Sequence, residues 1–288
     1  MRHTTRLKEL AAKRQALTVP GVANALFARV AEDAGFPVIY ATGAGIANMH
    51  LGAPDIGLTT LTEVANAVAA MRDAVSVPLI VDADTGFGNA LNMVRTVRVL
   101  ERAGAAGLQI EDQVFPKRCG HFAGKHVVPA DEMIQKIKAA VDARKDQDLQ
   151  IIARTDARAV DDLDAAIERA HQFAEAGADI TFVEAPESLA ELKRIANELE
   201  VPQVANIVHG GRTPDPGRAA LAEMGFALVL YANAGLQAAL RASAEVYAHL
   251  KAEGSLNGVA HLLASFEERQ ASVAKPAWDE LERRYQID

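Results

Sequence analysis

The feature that most constrains this chain is one phrase repeated eight times. A short apolar run with β-branched residues is followed by a polar or glycine-containing loop and then by a longer stretch with apolar residues at helical spacing. That phrase is the βα unit, which builds parallel sheets covered by helices. The strands are predicted at 17–19, 38–42, 79–82, 107–110, 151–154, 180–183, 203–206 and 227–231. Helices are predicted at 23–34, 61–74, 92–103, 161–176 and 188–198. Gly35, Gly104, Gly177 and Gly225 stand where a helix should end in a left-handed residue, a conformation that costs glycine least. Runs such as Leu79-Ile80-Val81 and Ile151-Ile152 lack polar alternation, as expected of strands buried on both faces.

An open doubly wound sheet would share these units. The first helix, however, opens at Pro20-Gly21-Val22-Ala23-Asn24 rather than on a Gly-x-Gly-x-x-Gly turn, and the strand count is eight. The expected fold is therefore α/β, a (β/α)8 TIM-type barrel. No proline-rich or serine-rich linker divides the 288 residues, so 1–288 is read as one barrel domain. The pattern loosens from Lys251, and 251–288 is read as a C-terminal helical tail. Its charged, amphipathic stretch at 267–285 should pack on another helix or another subunit.

With 50% hydrophobic residues the chain can bury a large core, and its net charge of -8 repels nucleic acid and anionic membranes at long range. Met1 to Lys13 is charged, and no run approaches the roughly eighteen apolar residues of a membrane span. A single cysteine, Cys119, excludes an internal disulfide and suits a reducing compartment. The expectation is a cytoplasmic protein that binds neither nucleic acid nor membrane.

In a barrel the chemistry collects at the C-terminal ends of the strands. The residues there are Thr42, Asp82 with Asp84, Glu111 with Asp112, Arg154 with Asp156, Glu184 and Asn206, all predicted to ring one mouth. Carboxylates converging without a cation would repel one another. Any one of these acids could be a helix N-cap. Asp82, Asp84 and Glu111 together suit a hard cation, and oxygen donors favour magnesium, with manganese as its substitute, over zinc. The segment from Glu111 to His121 is too rich in charge, proline and glycine for a core. Its Cys119, beside Lys117, Arg118 and His121, is placed to favour the thiolate and carry a proton. Two loops with backbone amides, Thr42-Gly43-Ala44-Gly45 and 206–214 with Arg212, could each take a carboxylate or phosphate.

At these residues the sequence resembles the isocitrate lyase and phosphoenolpyruvate mutase superfamily. The resemblance runs from about Leu17 to the tail. Its most specific motif is Lys117-Arg118-Cys119-Gly120-His121, supported by Gly52-Ala53-Pro54-Asp55, by Val81 to Gly88, by Ile110-Glu111-Asp112-Gln113, by Ala153 to Arg158 and by Phe182-Val183-Glu184-Ala185. The resemblance implies a barrel whose last helix is exchanged between paired subunits in a homotetramer, a dimer of dimers. It implies that Asp82 binds Mg2+ most directly, while Asp55, Asp84 and Glu111 hold its waters. Thr42, Gly43 and Ala44 would contact the carboxylate of a small carboxylic acid substrate, and Arg154 its oxygens, with Glu184, Asn206, Gly120 and His121 nearby. Cys119 would be the general acid, tuned by Lys117, Arg118 and His121.

The implied activity is carbon–carbon cleavage of a small 2-hydroxy di- or tricarboxylic acid, of the 2-methylisocitrate or 2-alkylmalate type, to pyruvate or another 2-oxo acid. The alternatives are a carboxyphosphonoenolpyruvate-type phosphonomutase and an oxaloacetate hydrolase or decarboxylase. A non-catalytic barrel is disfavoured because every expected ligand position is filled. The sequence departs from the family pattern at Ala44, at Phe122 and at His209, where many relatives carry glutamate before Gly-Gly; His209 bears on the substrate's distal group.

Overall fold

A computed structural model describes residues 1–118 and 124–286; Cys119, Gly120 and His121, three of the expected site residues, lie outside the described residues. The strands are β1 (Leu17–Val22), β2 (Ile39–Ala41), β3 (Leu79–Asp82), β4 (Gly107–Glu111), β5 (Gln150–Thr155), β6 (Ile180–Val183), β7 (Val204–Asn206) and β8 (Leu228–Tyr231). The helices begin with α1 (His3–Ala12), α2 (Ala25–Asp33), α3 (Gly43–Ile46), α4 (Leu61–Ala74), α5 (Ala90–Arg102) and α6 (Ala130–Ala143). They continue with α7 (Ala157–Val160), α8 (Leu163–Glu175), α9 (Leu189–Glu198), α10 (Arg218–Met224), α11 (Ala234–Glu253), α12 (Phe266–Ser272) and α13 (Lys275–Tyr285).

All eight strands are parallel. Each of β1 to β5 bonds to the next, β1 also pairs with β8, and β8 with β7. A bridge between Thr181 and Gln203, backed by the Gln203 amide donating to the Thr181 hydroxyl at 2.6 Å, joins β6 to β7 and closes the ring. The result is the (β/α)8 barrel expected from the alternation.

Alternation along each strand builds two cores. Ile151 and Ala153 face the surrounding helices, while Ile152 between them faces the barrel axis with Ile80, Phe182 and Leu228. Helix starts are set by side-chain caps: Asn24, Thr60, Asn89, Asp162 and Ser188 each accept a first-turn amide. Gly35, Gly104, Gly177 and Gly225 all take positive φ between 85° and 104°, as predicted. Strand β1 runs on to Val22 through Pro20-Gly21, because a Cβ on Gly21 would lie 1.9 Å from the Ala232 carbonyl oxygen and only glycine lets β1 pass.

The first residues have more structure than their charge suggests. They form α1, whose Leu7 and Ala11 are buried among the barrel-axis residues; Leu7 comes so close to β4 that a Cβ on Gly107 would be 2.9 Å from it. Full burial of one leucine side chain contributes roughly 1.5–3 kcal/mol. The tail holds the end of α11, a 3-10 turn at Ala260–Leu262 and the helices α12 and α13, and it leaves Phe266, Trp278 and Tyr285 exposed. Among the described residues no helix is long and apolar enough to cross a membrane.

Candidate active site

The register of the barrel brings the site together. Glu111 at the end of β4 lies level with Arg154 on β5, and Asp82 ends the adjacent β3. The Asp82 carboxylate accepts the Gly43 amide at 3.3 Å, the Asp84 amide at 3.2 Å and the Gln109 side-chain amide at 3.4 Å. Gln109 is in turn held by the Tyr40 hydroxyl inside the barrel. A Cβ on Gly43 would lie 3.0 Å from Asp82, so glycine permits this close approach of backbone to carboxylate. Asp84 adopts a left-handed conformation, φ 48°, uncommon for a residue with a Cβ and typical of functional turns.

Lys117 unites this side of the mouth. Its buried ammonium lies 2.5 Å from Asp55 and 2.7 Å from Asp84, and the Asp82 and Glu111 charges are close enough to act on it. Burial pushes the Asp84 carboxyl up to about 7; Lys117 opposes the shift while the Asp82 and Asp55 charges add to it. Burial also raises Glu111 well above the ordinary carboxylate range. Burial alone would lower Lys117, but the surrounding acids, Asp84 first, hold it well above its usual value.

These residues fit a hard divalent cation. The donors are all carboxylate oxygens, they outnumber the local positive charge, and the buried Glu111 Oε1 has no hydrogen-bond partner. Among the described residues, no three acidic, histidine or cysteine side chains converge as a complete ligand set. A cation held directly by few of these acids, with the rest reaching it through water, matches magnesium's preference for retaining its waters.

On the other side Arg154 presents a buried guanidinium over the Phe182 ring, 5.1 Å from its centroid. Its Nε and Nη2 donate to Asp156 at 2.9 and 3.1 Å. Glu111 lies 3.5 Å from Nε, and Glu184, following β6, lies 3.7 Å from Nη1. Asn206 at the end of β7 donates to both Glu184 oxygens at 3.3 Å, leaving its own buried Oδ1 without a partner. Thr42 caps α3 by accepting the Gly45 amide, and its hydroxyl faces Asn233 at 3.5 Å. Asp55, Asp82, Glu111, Lys117, Arg154, Glu184, Asn206, Thr42 and Ala44 line one cavity with about 40 Å³ of free space; Gly43 stands behind it, its amide on Asp82.

The structure corrects three expectations. Asp112 and Asp156 do not ring the mouth; both are fully buried beneath it. The Asp112 carboxylate accepts the Thr155 hydroxyl at 2.7 Å and the Asp156 amide at 2.9 Å, and it meets Arg169 at 3.3 Å. Burial, helped by the Asp156 charge, raises Asp112 to about 6. Arg212 does not reach the cavity either, since it is half exposed and paired with Glu187 at 3.4 Å. Asn233 and Tyr40 line the cavity and were not among the expected site residues, and Arg118, expected beside Cys119, lines it too. The signal for Asn233 was a polar residue just past the last apolar run, two positions beyond the end of β8.

The family model described as phosphoenolpyruvate phosphomutase matches residues 7–251. The chain belongs to that family, within the isocitrate lyase and phosphoenolpyruvate mutase superfamily. It is 42% identical to the 2,3-dimethylmalate lyase of Eubacterium barkeri, over 99% of each chain. It is 44% identical to the 2-methylisocitrate lyase of Escherichia coli strain K12, over 91% of this chain and 88% of the relative. Among solved structures, a phosphonopyruvate hydrolase in complex with oxalate and Mg2+ superposes with a TM-score of 0.89 at 30% identity, over 99% of each chain.

Proposed function

We propose that this protein is a magnesium-dependent carbon–carbon lyase acting on a small 2-hydroxy di- or tricarboxylic acid of the 2-alkylmalate or 2-methylisocitrate type, releasing pyruvate or another 2-oxo acid. The observation that carries the reading is one small cavity lined by the Asp55, Asp82 and Glu111 carboxylates on one side and the Arg154 guanidinium on the other. Such a cavity suits an anionic substrate whose reaction develops further negative charge. The names of the two lyase relatives support the substrate class.

Cleavage between carbons 2 and 3 removes the proton of the C2 hydroxyl, turns C2 into a ketone, leaves the bonding pair on C3 as an enolate, and returns a proton to C3. Arg154 binds substrate oxygens and stabilises their growing charge, with its plane fixed by Asp156 and Phe182. Thr42 and the start of α3 receive the carboxylate next to C2, while Glu184 and Asn206 orient the substrate between them. Asp82, with Asp55, Asp84 and Glu111, would hold Mg2+, whose contribution is electrostatic stabilisation of the enolate oxygens. Lys117 keeps the acids beside it compact. Cys119, one residue past Arg118, is the proposed acid that protonates C3, with His121 and Gly120 beside it in the chain.

The reading extends to the whole chain, 1–288, as one catalytic domain whose tail, 251–288, packs against a second copy in a homotetramer in the cytoplasm. Phe266, Trp278 and Tyr285 support that assembly, each more than 60% exposed. The test of the activity is 2-oxo acid release from 2,3-dimethylmalate and 2-methylisocitrate with Mg2+. Absence of turnover of either acid by folded, Mg2+-loaded protein counts against this substrate class.

A further inference from the structure

Arg154 is surrounded by more negative charge than a substrate-binding cation can use. Three carboxylates lie within 3.7 Å of its guanidinium: Asp156 in two hydrogen bonds, Glu111 and Glu184. An arginine paired this fully is close to neutral as seen by an incoming anion. Asp156, however, is itself shared. Its Oδ1 also accepts the Lys125 ammonium at 2.6 Å, with the Lys125 side chain 2% and the Asp156 side chain 0% exposed. The Asp156 amide donates to Asp112, which fixes the backbone from which its carboxylate reaches both cations.

We infer that Lys125 is a positioning residue for the reaction: by taking up the Asp156 charge it leaves Arg154 oriented by Asp156 and more positive toward the substrate than Asp156 alone would leave it. Asp156 carries one charge against two cations, so Lys125 offsets one of the three carboxylate charges around Arg154 while Glu111 and Glu184 remain beside the guanidinium. The carboxylate thus fixes the guanidinium fork, and the lysine restores the field that the carboxylate would cancel. Lys125 does not line the cavity and reaches Arg154 through Asp156. The depressed titration of Asp156, about 2, agrees with a carboxylate that two cations stabilise against the cost of its burial.

This inference rests on the reading of Arg154 as the group that binds the substrate's oxygens, and the test separates the two. Oxalate is the probe, titrated calorimetrically into Mg2+-saturated wild-type, Lys125→Gln, Lys125→Met and Lys125→Arg proteins. Lys125→Gln retains an N–H donor for Asp156 without the charge, so it keeps the fold while removing the proposed effect. Loss of one buried charge close to the bound anion is expected to weaken oxalate by about tenfold in the Gln and Met variants. Lys125→Arg should restore affinity to near wild type, and Mg2+ affinity measured without oxalate should be the same in all four. A role confined to stability would lower the melting temperature of the Gln variant with oxalate affinity unchanged, and that result overturns the inference. An arginine variant as weak as the glutamine variant overturns it too. Wild-type protein that fails to bind oxalate would instead sink the reading of Arg154.

Discussion

Adding or removing magnesium should move the stability of this protein by a calculable amount. Four carboxylates, Asp55, Asp82, Asp84 and Glu111, are held in or beside the mouth with Lys117 as the cation in contact with two of them. A divalent cation that binds this cluster only in the folded chain stabilises it by about 2.7 kcal/mol at a hundred times its dissociation constant. At about 2.1 cal/mol/K of unfolding entropy per residue, the chain's 288 residues give about 0.6 kcal/mol/K, so the midpoint should rise by about 4 to 5 °C. Scanning calorimetry with chelator and with saturating Mg2+ measures the difference directly. Asp82→Ala should stay folded, because the acids left behind repel one another less, and it should lose most of the rise along with activity. An equal midpoint with chelator and with Mg2+, or a full rise retained by Asp82→Ala, would refute the assignment of this cluster as a cation site.

Three further outcomes are expected. Cys119→Ser should lose most turnover while keeping Mg2+ and oxalate binding, since a hydroxyl titrates far above a thiol of pKa about 8.5 and yields its proton less readily; unchanged turnover would remove Cys119 from the mechanism. Sedimentation should give a homotetramer, and replacing Trp278 and Tyr285 with serine should shift it toward smaller species, whereas a wild-type monomer at micromolar concentration would contradict the proposed packing of the tail. Asp156, whose folded carboxyl lies near 2 because Arg154 and Lys125 outweigh its burial, contributes stability that is present above the unfolded value near 3.9 and lost as pH falls toward 2. Urea titrations at pH 6 and pH 3 should therefore show the wild type losing about 1 kcal/mol more than Asp156→Asn over that interval, and equal losses would contradict the shift.

The barrel was legible because its signals are local and repeated. Every strand predicted from an apolar run is present, and the glycines that end helices in the left-handed region were readable one by one. Strand β1 was cut short at Val19 because Pro20-Gly21 normally breaks a strand, and the need for Gly21 comes from Ala232, more than two hundred positions away. Helix α1 was hidden by its charged face, with Leu7 and Ala11 as its buried positions. The acids of the mouth were readable from the ends of the strands, but which of them face it was not. Asp112 and Asp156 follow their strands just as Asp82 and Glu111 end theirs, yet they turn inward to Thr155, Arg169 and Lys125, partners supplied by other units of the barrel. Lys117 stood out in the sequence as part of a motif, while its contact with Asp55 and Asp84 joins it to acids from two other units of the barrel.

The measurement that tests the central claim most directly is an assay of 2-oxo acid release across 2,3-dimethylmalate, 2-methylisocitrate, other 2-alkylmalates and oxaloacetate, run with Mg2+ and again after chelation. Phosphorus NMR of phosphonopyruvate and related substrates is followed in parallel. The account predicts pyruvate or another 2-oxo acid from at least one 2-hydroxy acid, only while a divalent cation is present. Carbon–phosphorus chemistry with no carbon–carbon cleavage of any acid, or cleavage that persists undiminished after exhaustive chelation, would contradict it.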